Sequence, residues 1–533
     1  MSQSKRDGKL FYFGNEAREG IQRGARVVYD AVSVTYGPKG LNSIIEKSYG
    51  RPIISRDGVT LAKESYLENR LENQGAQLLI EASEQTNRVA GDGTSATVLL
   101  TYELLKLGLR KVTDDGANPM DVKQEILEDS YKVLKNLESM QQDVKKGQLE
   151  QVATVSCGDP LLGKLIAEAV EEVGPDGGLI TEKAAITGVD RTYVSGYFMQ
   201  QGFHAIEAGK KEIENCYVVV SSKHISSKMD AIALLNKVGE RAHEDQGLPM
   251  TQNGQPVPLK DPLKVAFFGE IDGEAYNVIV ANIQAGAFDG TITKSLPIGE
   301  MGPQYLEDLA IFCGAKSIKS GENLTSIDTS YIGVADKVAC TTAETTIFGG
   351  NGAEEDVEKR KIELKDRLKT EPLEPVQERI RDRIAKLEGK VALFRIGGAT
   401  ETEREEVEFR IEDSIQSTRA AAQSGVVTGG GVSLLKLSKT KGIGEVTTQA
   451  LRNVFKKLMS NANLPTDVKL EEALNAPEGH GFNLREGGEL VDLISAGILD
   501  AYLVLQEVVT NASSTAANAV TIGAVVTFID KEE

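Results

Sequence analysis

The spacing of apolar residues changes character twice along this chain, and that change limits what it can fold into. Residues 16–36 repeat apolar positions at helical spacing (Ile21, Ala25, Val28, Ala31, Val32), and 61–89, 95–110 and 119–140 read the same way. From about 195 to 350 the pattern becomes compact runs separated by helical stretches. Val218-Val219-Val220 and Val265-Ala266-Phe267-Phe268 suit parallel strands buried on both faces. Residues 354–388 are highly charged and broken by Pro372 and Pro375. Ile362, Leu364 and Leu368 precede the prolines and Val376, Ile380, Ile384 and Leu387 follow them, which predicts a helical hairpin. Residues 401–423 predict another helix, and 424–533 are glycine-punctuated, then helical, then a strand over 524–529. Helical, α/β, helical is the order of a nested molecule: an α/β domain inserted in the chain, with the outer segments reuniting. A length of 533 residues supplies material for several cores.

Smaller features fill in the plan. Residues 9–13 form an aromatic strand candidate, and 42–55 a hairpin with Ile44-Ile45 facing Ile53-Ile54. Residues 148–194 mix a helix over 161–173 with short strands near 179–180 and 192–194. Residues 246–262 hold four prolines and read as a long loop or excursion.

Charge narrows the partners. Lys+Arg 60 against Asp+Glu 79 leaves a net charge of -19, which repels phosphate backbones and argues against nucleic acid. No stretch reaches the ~20 apolar residues of a membrane span, and the polar start has no apolar leader core. Cys157, Cys216, Cys313 and Cys340 lie far apart with no CxxC pair, which fits a reducing cytoplasm. Four scattered histidines do not suggest a His-rich metal site.

Neither GxxxxGK[ST] nor a GxGxxG after a strand occurs, so a P-loop or dinucleotide fingerprint is not supported. Four glycine-flanked motifs stand instead: Thr35-Tyr36-Gly37-Pro38-Lys39-Gly40, Asp57-Gly58, Gly91-Asp92-Gly93-Thr94-Ser95 and Gly429-Gly430-Gly431. The third opens a helix, so its glycines let backbone approach a ligand while free N–H groups face an anion. An aspartate among phosphate-binding groups makes sense if a cation neutralises it, and Mg²⁺ prefers hard oxygen ligands. Each motif alone reads more readily as a plain cap, turn or loop than as a ligand site; the set carries the argument.

Taken in order, these motifs resemble the 60-kDa chaperonins of the group I (bacterial and organellar) type. The resemblance includes Phe13-Gly14-Asn15-Glu16-Ala17-Arg18, Arg56-Asp57-Gly58-Val59, Asn118-Pro119-Met120-Asp121, Ile411-Glu412-Asp413, Ser417-Thr418-Arg419-Ala420-Ala421, Gly425-Val426-Val427-Thr428-Gly429-Gly430-Gly431 and Gly497-Ile498-Leu499-Asp500. It implies a multidomain α and α/β fold of chaperonin architecture. A mainly helical equatorial ATP-binding domain would span 1–140 and 424–533. A small α/β intermediate hinge domain would span 141–194 and 390–423, and an α/β apical domain 195–389. The implied activity is that of an ATP-dependent molecular chaperone, an ATPase in homo-oligomeric rings of seven. Unfolded or partly folded proteins are the implied clients, enclosed under a small 10-kDa co-chaperonin lid.

The resemblance also implies roles. Thr35, Tyr36, Gly37 and Pro38 would line the phosphates with Arg56, Gly93, Thr94 and Ser95. Asp92 would hold Mg²⁺; Asp57 and Asp413 would be catalytic, Asp413 positioning the attacking water. Gly430, Asn483, Leu484, Ile498 and Asp500 would contact ribose and adenine, and K⁺ would sit near Thr35, Arg56 and Ser95. Phe203, Ile232, Leu235, Tyr276 and Val280 would bind clients, with Leu234 and Ile283 in the core. Gly196 and Gly389 would form one hinge and Gly425 part of another. Several stretches depart from the family. The Gly91-to-Thr97 run is one residue short, Ala501 replaces a common proline, and the apical stretch around 197–202 is eroded. A ring-shaped binding protein without efficient turnover is the competing reading.

Overall fold

The computed structural model describes residues 9–46, 52–175, 177–184, 186–199, 201–202, 211–252, 255–293, 302–341 and 344–528. The chain divides into two units. The first comprises Met1–Glu171, Lys183–Val189 and Ile396–Glu533; the second, inserted, comprises Glu172–Glu182 and Asp190–Arg395.

The first unit begins with β1 (Lys9–Phe13) and α1 (Gly14–Ser33), then the hairpin β2 (Ser43–Ile45) and β3 (Ile53–Ser55). The sequence predicts one helix over 61–89, but the structure makes two, α2 (Gly58–Lys63) and α3 (Arg70–Ala90). Side-chain capping explains the break: Asn69 accepts from the Leu71 and Glu72 N–H groups and starts a fresh helix. Next, α4 (Thr94–Thr113) is buried on nearly every side, as a helix at the centre of a core must be. Asn118 caps α5 (Pro119–Met140), with Pro119 at its first position. Then come α6 (Gln148–Cys157) and α7 (Pro160–Val173). The sequence pattern does not predict α6, because Val152, Thr154 and Val155 branch at Cβ and blur the helical signal.

The inserted unit contains β4 (Gly178–Lys183), β5 (Val189–Met199), β6 (Lys211–Ile225), α8 (Lys228–Asp245), β7 (Thr251–Gln252), β8 (Gln255–Pro256), β9 (Lys264–Ile271) and α9 (Gly273–Gln284). It continues through β10 (Asp289–Ile292), α10 (Gly302–Phe312), β11 (Ile332–Cys340), β12 (Thr345–Gly350), α11 (Glu354–Thr370), α12 (Glu374–Glu388) and β13 (Lys390–Ile396). Eight strands form one mixed sheet in the order β10-β9-β6-β11-β12-β5-β13-β4. The two runs singled out in the sequence are its parallel pair β6 and β9, with Val218 opposite Ala266.

Alternation along the strands serves two cores. Cys216, Val218, Val220, Ala266 and Phe268 pack with Leu309 of α10 and with Leu364, Ile380, Ile384 and Leu387 of the α11–α12 hairpin. Val219, Val265 and Phe267 pack with Leu234 of α8 and Ile279 of α9. Ile362, expected on the apolar side of α11, is exposed. Buried Arg383 pairs with buried Asp308 through bonds of 2.6 and 3.0 Å, and Arg360 adds a third at 2.8 Å. That fixes the hairpin on α10, where Glu307 pairs with the second cation, Arg360, at 3.2 Å. The proline-rich 246–262 segment carries the small β7–β8 hairpin, and the His243 ring meets the Val257 carbonyl at 2.8 Å.

The chain returns to the first unit with α13 (Glu401–Ser424), β14 (Val426–Thr428), α14 (Val432–Leu437), α15 (Glu445–Asn461) and α16 (Thr466–Asn475). It ends through β15 (His480–Asn483), β16 (Glu489–Asp492), β17 (Leu499–Ala501), α17 (Tyr502–Val520) and β18 (Ala524–Phe528). Ile529, the last residue of the predicted strand, lies outside the described residues. α17 packs on α3, α4 and α5, and β18 pairs antiparallel with β1, Val526 opposite Phe11. The outer segments therefore reunite as expected. No helix among the described residues is long and apolar enough to cross a membrane.

Candidate functional site

The first unit brings the four glycine-flanked motifs into one neighbourhood. Gly91 (φ 66°) ends α3 and Gly93 (φ 82°) precedes α4, both left-handed, a conformation that glycine adopts at little cost. Gly93 offers no capping side chain, so the first N–H groups of α4 meet no side-chain cap from that position. Between the two glycines stands Asp92. Its Oδ1 accepts from the Gly93 N–H at 2.5 Å, and its Oδ2 accepts from the Ser417 hydroxyl of α13 and from the Ser156 hydroxyl of α6 at 3.4 Å.

Asp57 faces the same helix start. A Cβ on its neighbour Gly58 would lie 2.4 Å from Ser95 Oγ and 2.9 Å from Ser95 N, so only glycine lets the starts of α2 and α4 press together. Asp57 also caps α2, accepting from Val59 N at 3.1 Å, Thr60 N at 2.8 Å and Thr60 Oγ1 at 2.6 Å. Capping fixes the carboxylate and leaves lone pairs for a further partner.

Asp413 arrives from α13. Burial, then the charges of Asp57, Asp92 and Glu412, push its carboxyl well above the usual carboxylate range. Asp57 and Asp92, from two distant motifs, thus both act electrostatically on Asp413. Ser414 Oγ donates to the Ala153 carbonyl at 2.9 Å and binds α13 to α6. Gln416 covers Gly91, where a Cβ would meet its Cβ at 2.2 Å.

A more apolar wall adjoins the carboxylates. β14 and β17 pair with Val427 opposite Asp500, and the Gly429 N–H donates to the Ile498 carbonyl at 2.9 Å. Burial, then Asp92, raises the Asp500 carboxyl to about 7. Burial, then Asp500, raises the Tyr36 phenol. Gly430 (φ 64°) stands near Leu493 and Ile498. Leu484 is a core residue, 6% exposed, packed with Phe482, Leu458 and Leu493. Asn483 holds its own turn: its Oδ1 accepts from Arg485 N at 3.2 Å and its Nδ2 donates to Glu486 at 3.0 Å.

Thr35 is buried, its hydroxyl turned back on the Val32 carbonyl at 2.9 Å, while Pro38 is exposed. Arg56 donates to the Gly37 carbonyl at 2.9 Å. Its charge is disfavoured by burial and by Arg410 and Arg485, and favoured by Glu406. Ser95 is half-buried at the first turn of α4, and Thr94 is buried. Ser156, Ser417, Arg410 and Arg485 escaped the sequence reading. Ser417 had a signal, since it lies one helical turn after Asp413 on the same face.

Among the described residues, no group of three or more His, Cys, Asp or Glu could hold a metal ion by itself. Mg²⁺ needs no such cage, because it usually binds one or two carboxylates together with substrate phosphates. Asp92 offers a carboxylate beside open helix N–H groups, and the donors are hard oxygens, so the residues present fit that ion.

The proposed client-binding residues belong to the inserted unit. α8 and α9 pack side by side, and Ile232, Leu235, Tyr276 and Val280 are half-buried. Leu235, Tyr276, Val280 and Ile283 rest against the core that Leu234 enters fully. Phe203 lies outside the described residues. Of the three glycines expected to act as hinges, Gly389 (φ 68°) and Gly425 (φ 79°) are left-handed, and the Gly196 N–H donates to the Gly389 carbonyl at 2.8 Å.

Known proteins carry related chains. The chain resembles chaperonin gp146 from the bacteriophage EL 2 (Pseudomonas aeruginosa), crystallised in the presence of ATP-BeFx in two crystal forms. Form II matches at 20% identity and TM-score 0.69 over 98% of this chain and 100% of that one. Form I matches at 21% identity and TM-score 0.59 over 98% and 99%. At such identity the likeness establishes a shared fold. The model of the TCP-1/cpn60 chaperonin family matches residues 28–244 and 293–529; the stretch left between them includes the proline-rich segment and α9. With both matched stretches covering most of its length, the chain belongs to the TCP-1/cpn60 chaperonin family.

Proposed function

We propose that this chaperonin is an ATP-driven protein-folding machine whose hydrolytic site is the meeting point of Asp57, Asp92 and Asp413. The observation that carries this is that Asp57 and Asp92 both act on buried Asp413 beside the start of α4, where Gly93, Ser417 and Ser156 hold the Asp92 carboxylate. Three anions crowded together are unstable alone and suit a site built to receive a cation with its phosphates. The crystals of the phage relative with ATP-BeFx support the choice of nucleotide.

Each residue then has a task. The α4 N–H groups, Gly93, Thr94 and Ser95 bind phosphate oxygens, with the Gly37–Pro38 turn opposite. Asp92, held by Gly93 and Ser417, would hold Mg²⁺, which would neutralise phosphate charge. Asp57 is held rigid by the α2 cap beside the terminal phosphate. Asp413 orients a water for attack on the γ-phosphorus and takes its proton, while the bond to the β,γ-bridging oxygen breaks and ADP leaves. Burial and the neighbouring carboxylates raise its affinity for protons, the direction a proton acceptor needs. Gly430, Ile498 and Asp500, with the Asn483–Leu484 turn, flank ribose and base. K⁺ beside Thr35, Arg56 and Ser95 completes the cofactor set.

The remainder of the reading concerns the whole machine. Both chain ends form an equatorial part, 141–194 with 390–423 a hinged middle, and 195–389 an apical part moving about Gly196, Gly389 and Gly425. Ile232, Leu235, Tyr276 and Val280, with Phe203, capture non-native chains. Seven-membered rings of group I type close with a 10-kDa lid in the cytoplasm, where free, buried cysteines such as Cys157 and Cys216 stay reduced.

Phosphate release and nucleotide binding test the site together. Asp413→Ala should slow turnover about a hundredfold while leaving nucleotide affinity nearly unchanged. Loss of binding in that variant, or a wild-type protein that hydrolyses no ATP, overturns the reading. Electron microscopy and refolding of a denatured client, with and without ATP and lid, test the ring and its use.

A further inference from the structure

The last turn of α6 is gripped from two sides. α13 takes two of its carbonyls: Ser414 Oγ donates to Ala153 O at 2.9 Å and Arg410 Nη1 to Cys157 O at 3.2 Å. Two others are taken by Arg485, in the turn between β15 and β16. Its Nη2 donates to Thr154 O at 3.0 Å and to Val155 O at 2.9 Å. The carbonyl end of a helix leaves acceptors unpaired and carries partial negative charge, so guanidinium groups are well suited to it. α6 itself sits between two left-handed glycines, Gly147 and Gly158, which leave its orientation to such contacts.

What α6 carries makes the grip consequential. Ser156 reaches Asp92, Ser417 reaches Ser156, and Ser414 fastens α13, the helix of Asp413. Arg485 follows directly on the Asn483–Leu484 turn. We infer that Arg485 is a positioning residue for hydrolysis: it holds α6, and through α6 the Asp413 helix, in register with the nucleotide site. This rests on the reading of Asp413 as the water-positioning group.

Like charge sets a condition on the grip. Arg56, Arg410 and Arg485 are close enough to disfavour the Arg56 cation, with Glu406 as the opposing charge. Bound phosphates would offset that excess of positive charge. Because the Arg485 side chain is exposed, its bonds add little to global stability. Its effect therefore falls on geometry, where small displacements weigh heavily.

Two variants of the full-length protein separate these roles. Both bonds come from one nitrogen, so the ammonium of Arg485→Lys can replace them, whereas Arg485→Ala cannot. Arg485→Ala should lower kcat about tenfold with the ATP Kd changed by less than about threefold. Amide hydrogen exchange over 154–158 should speed up in that variant, with the unfolding midpoint nearly unmoved, and Arg485→Lys should restore both readouts. Unchanged exchange in Arg485→Ala, no rescue by lysine, or a fall in affinity matching the fall in kcat overturns the inference. If the wild-type protein hydrolyses no ATP, the reading of Asp413 fails, while the exchange experiment still decides the grip.

Discussion

Asp413 and Asp500 pay for their placement in the free protein. A carboxyl whose folded pKa lies above its unfolded value keeps a proton that the unfolded chain has lost, so stability falls as pH rises through that window. For Asp500 the window runs from the ordinary carboxylate range, near 3.8, up to about 7. Asp500→Asn should raise stability by on the order of 4 kcal/mol at pH 8 and change nothing near pH 3, read from urea unfolding across pH. Asp413→Asn should share that sign, gaining stability while losing turnover, because the same crowding that destabilises the empty site prepares it for its ligand. At this scale the acidic trio was legible because each member sits in a compact local motif. Ser156 was not, since a lone serine acquires meaning only when a separate helix packs it against Asp92. Leu484 was named for nucleotide contact and is packed into the core, a side chain whose direction local sequence does not fix.

Between elements, the tightest constraint is the crossing of α1 and α3. A Cβ at Gly75 would stand 2.0 Å from the Ile21 carbonyl, and one at Gly24 would stand 1.7 Å from the Glu72 carbonyl. Backbone cannot yield as a side chain does, so Gly75→Ala should cost about 2–3 kcal/mol, measured by chemical unfolding of the full chain. Gly116→Ala, with open space around its Cβ but φ of 70°, should cost only about 1 kcal/mol. Periodicity made most elements readable. The boundaries of α5 matched because Asn118, Pro119 and a polar exit define them locally. Helix α6 and the break before α3 were missed for opposite reasons: β-branched residues hid the first, and continuous apolar spacing concealed the second.

For the whole molecule, the nested plan was visible because the switch from helical spacing to buried-strand runs is coarse and survives local ambiguity. The inserted unit owns two cores, one on each face of its sheet, and its chain is nearly continuous. A fragment of residues 172–396 should therefore fold alone and unfold in one cooperative transition, checked by circular dichroism and amide dispersion. A fragment of 1–171 should not, because α4 would lack α17 and α15. Net charge makes self-association sensitive to salt: chains of -19 repel one another, so the associated fraction should rise as ionic strength screens them, read by light scattering.

The pairing of β1 with β18 has a consequence for biosynthesis. A ribosome releases the partner of the earliest strand only after some five hundred further residues have been joined, and α17, which seals α4, emerges just before it. At about 5–20 residues per second, the nascent polypeptide spends on the order of a minute with its leading helices uncovered. Each copy must therefore survive, during its own translation, the same exposure of sticky surface that it would later relieve in others.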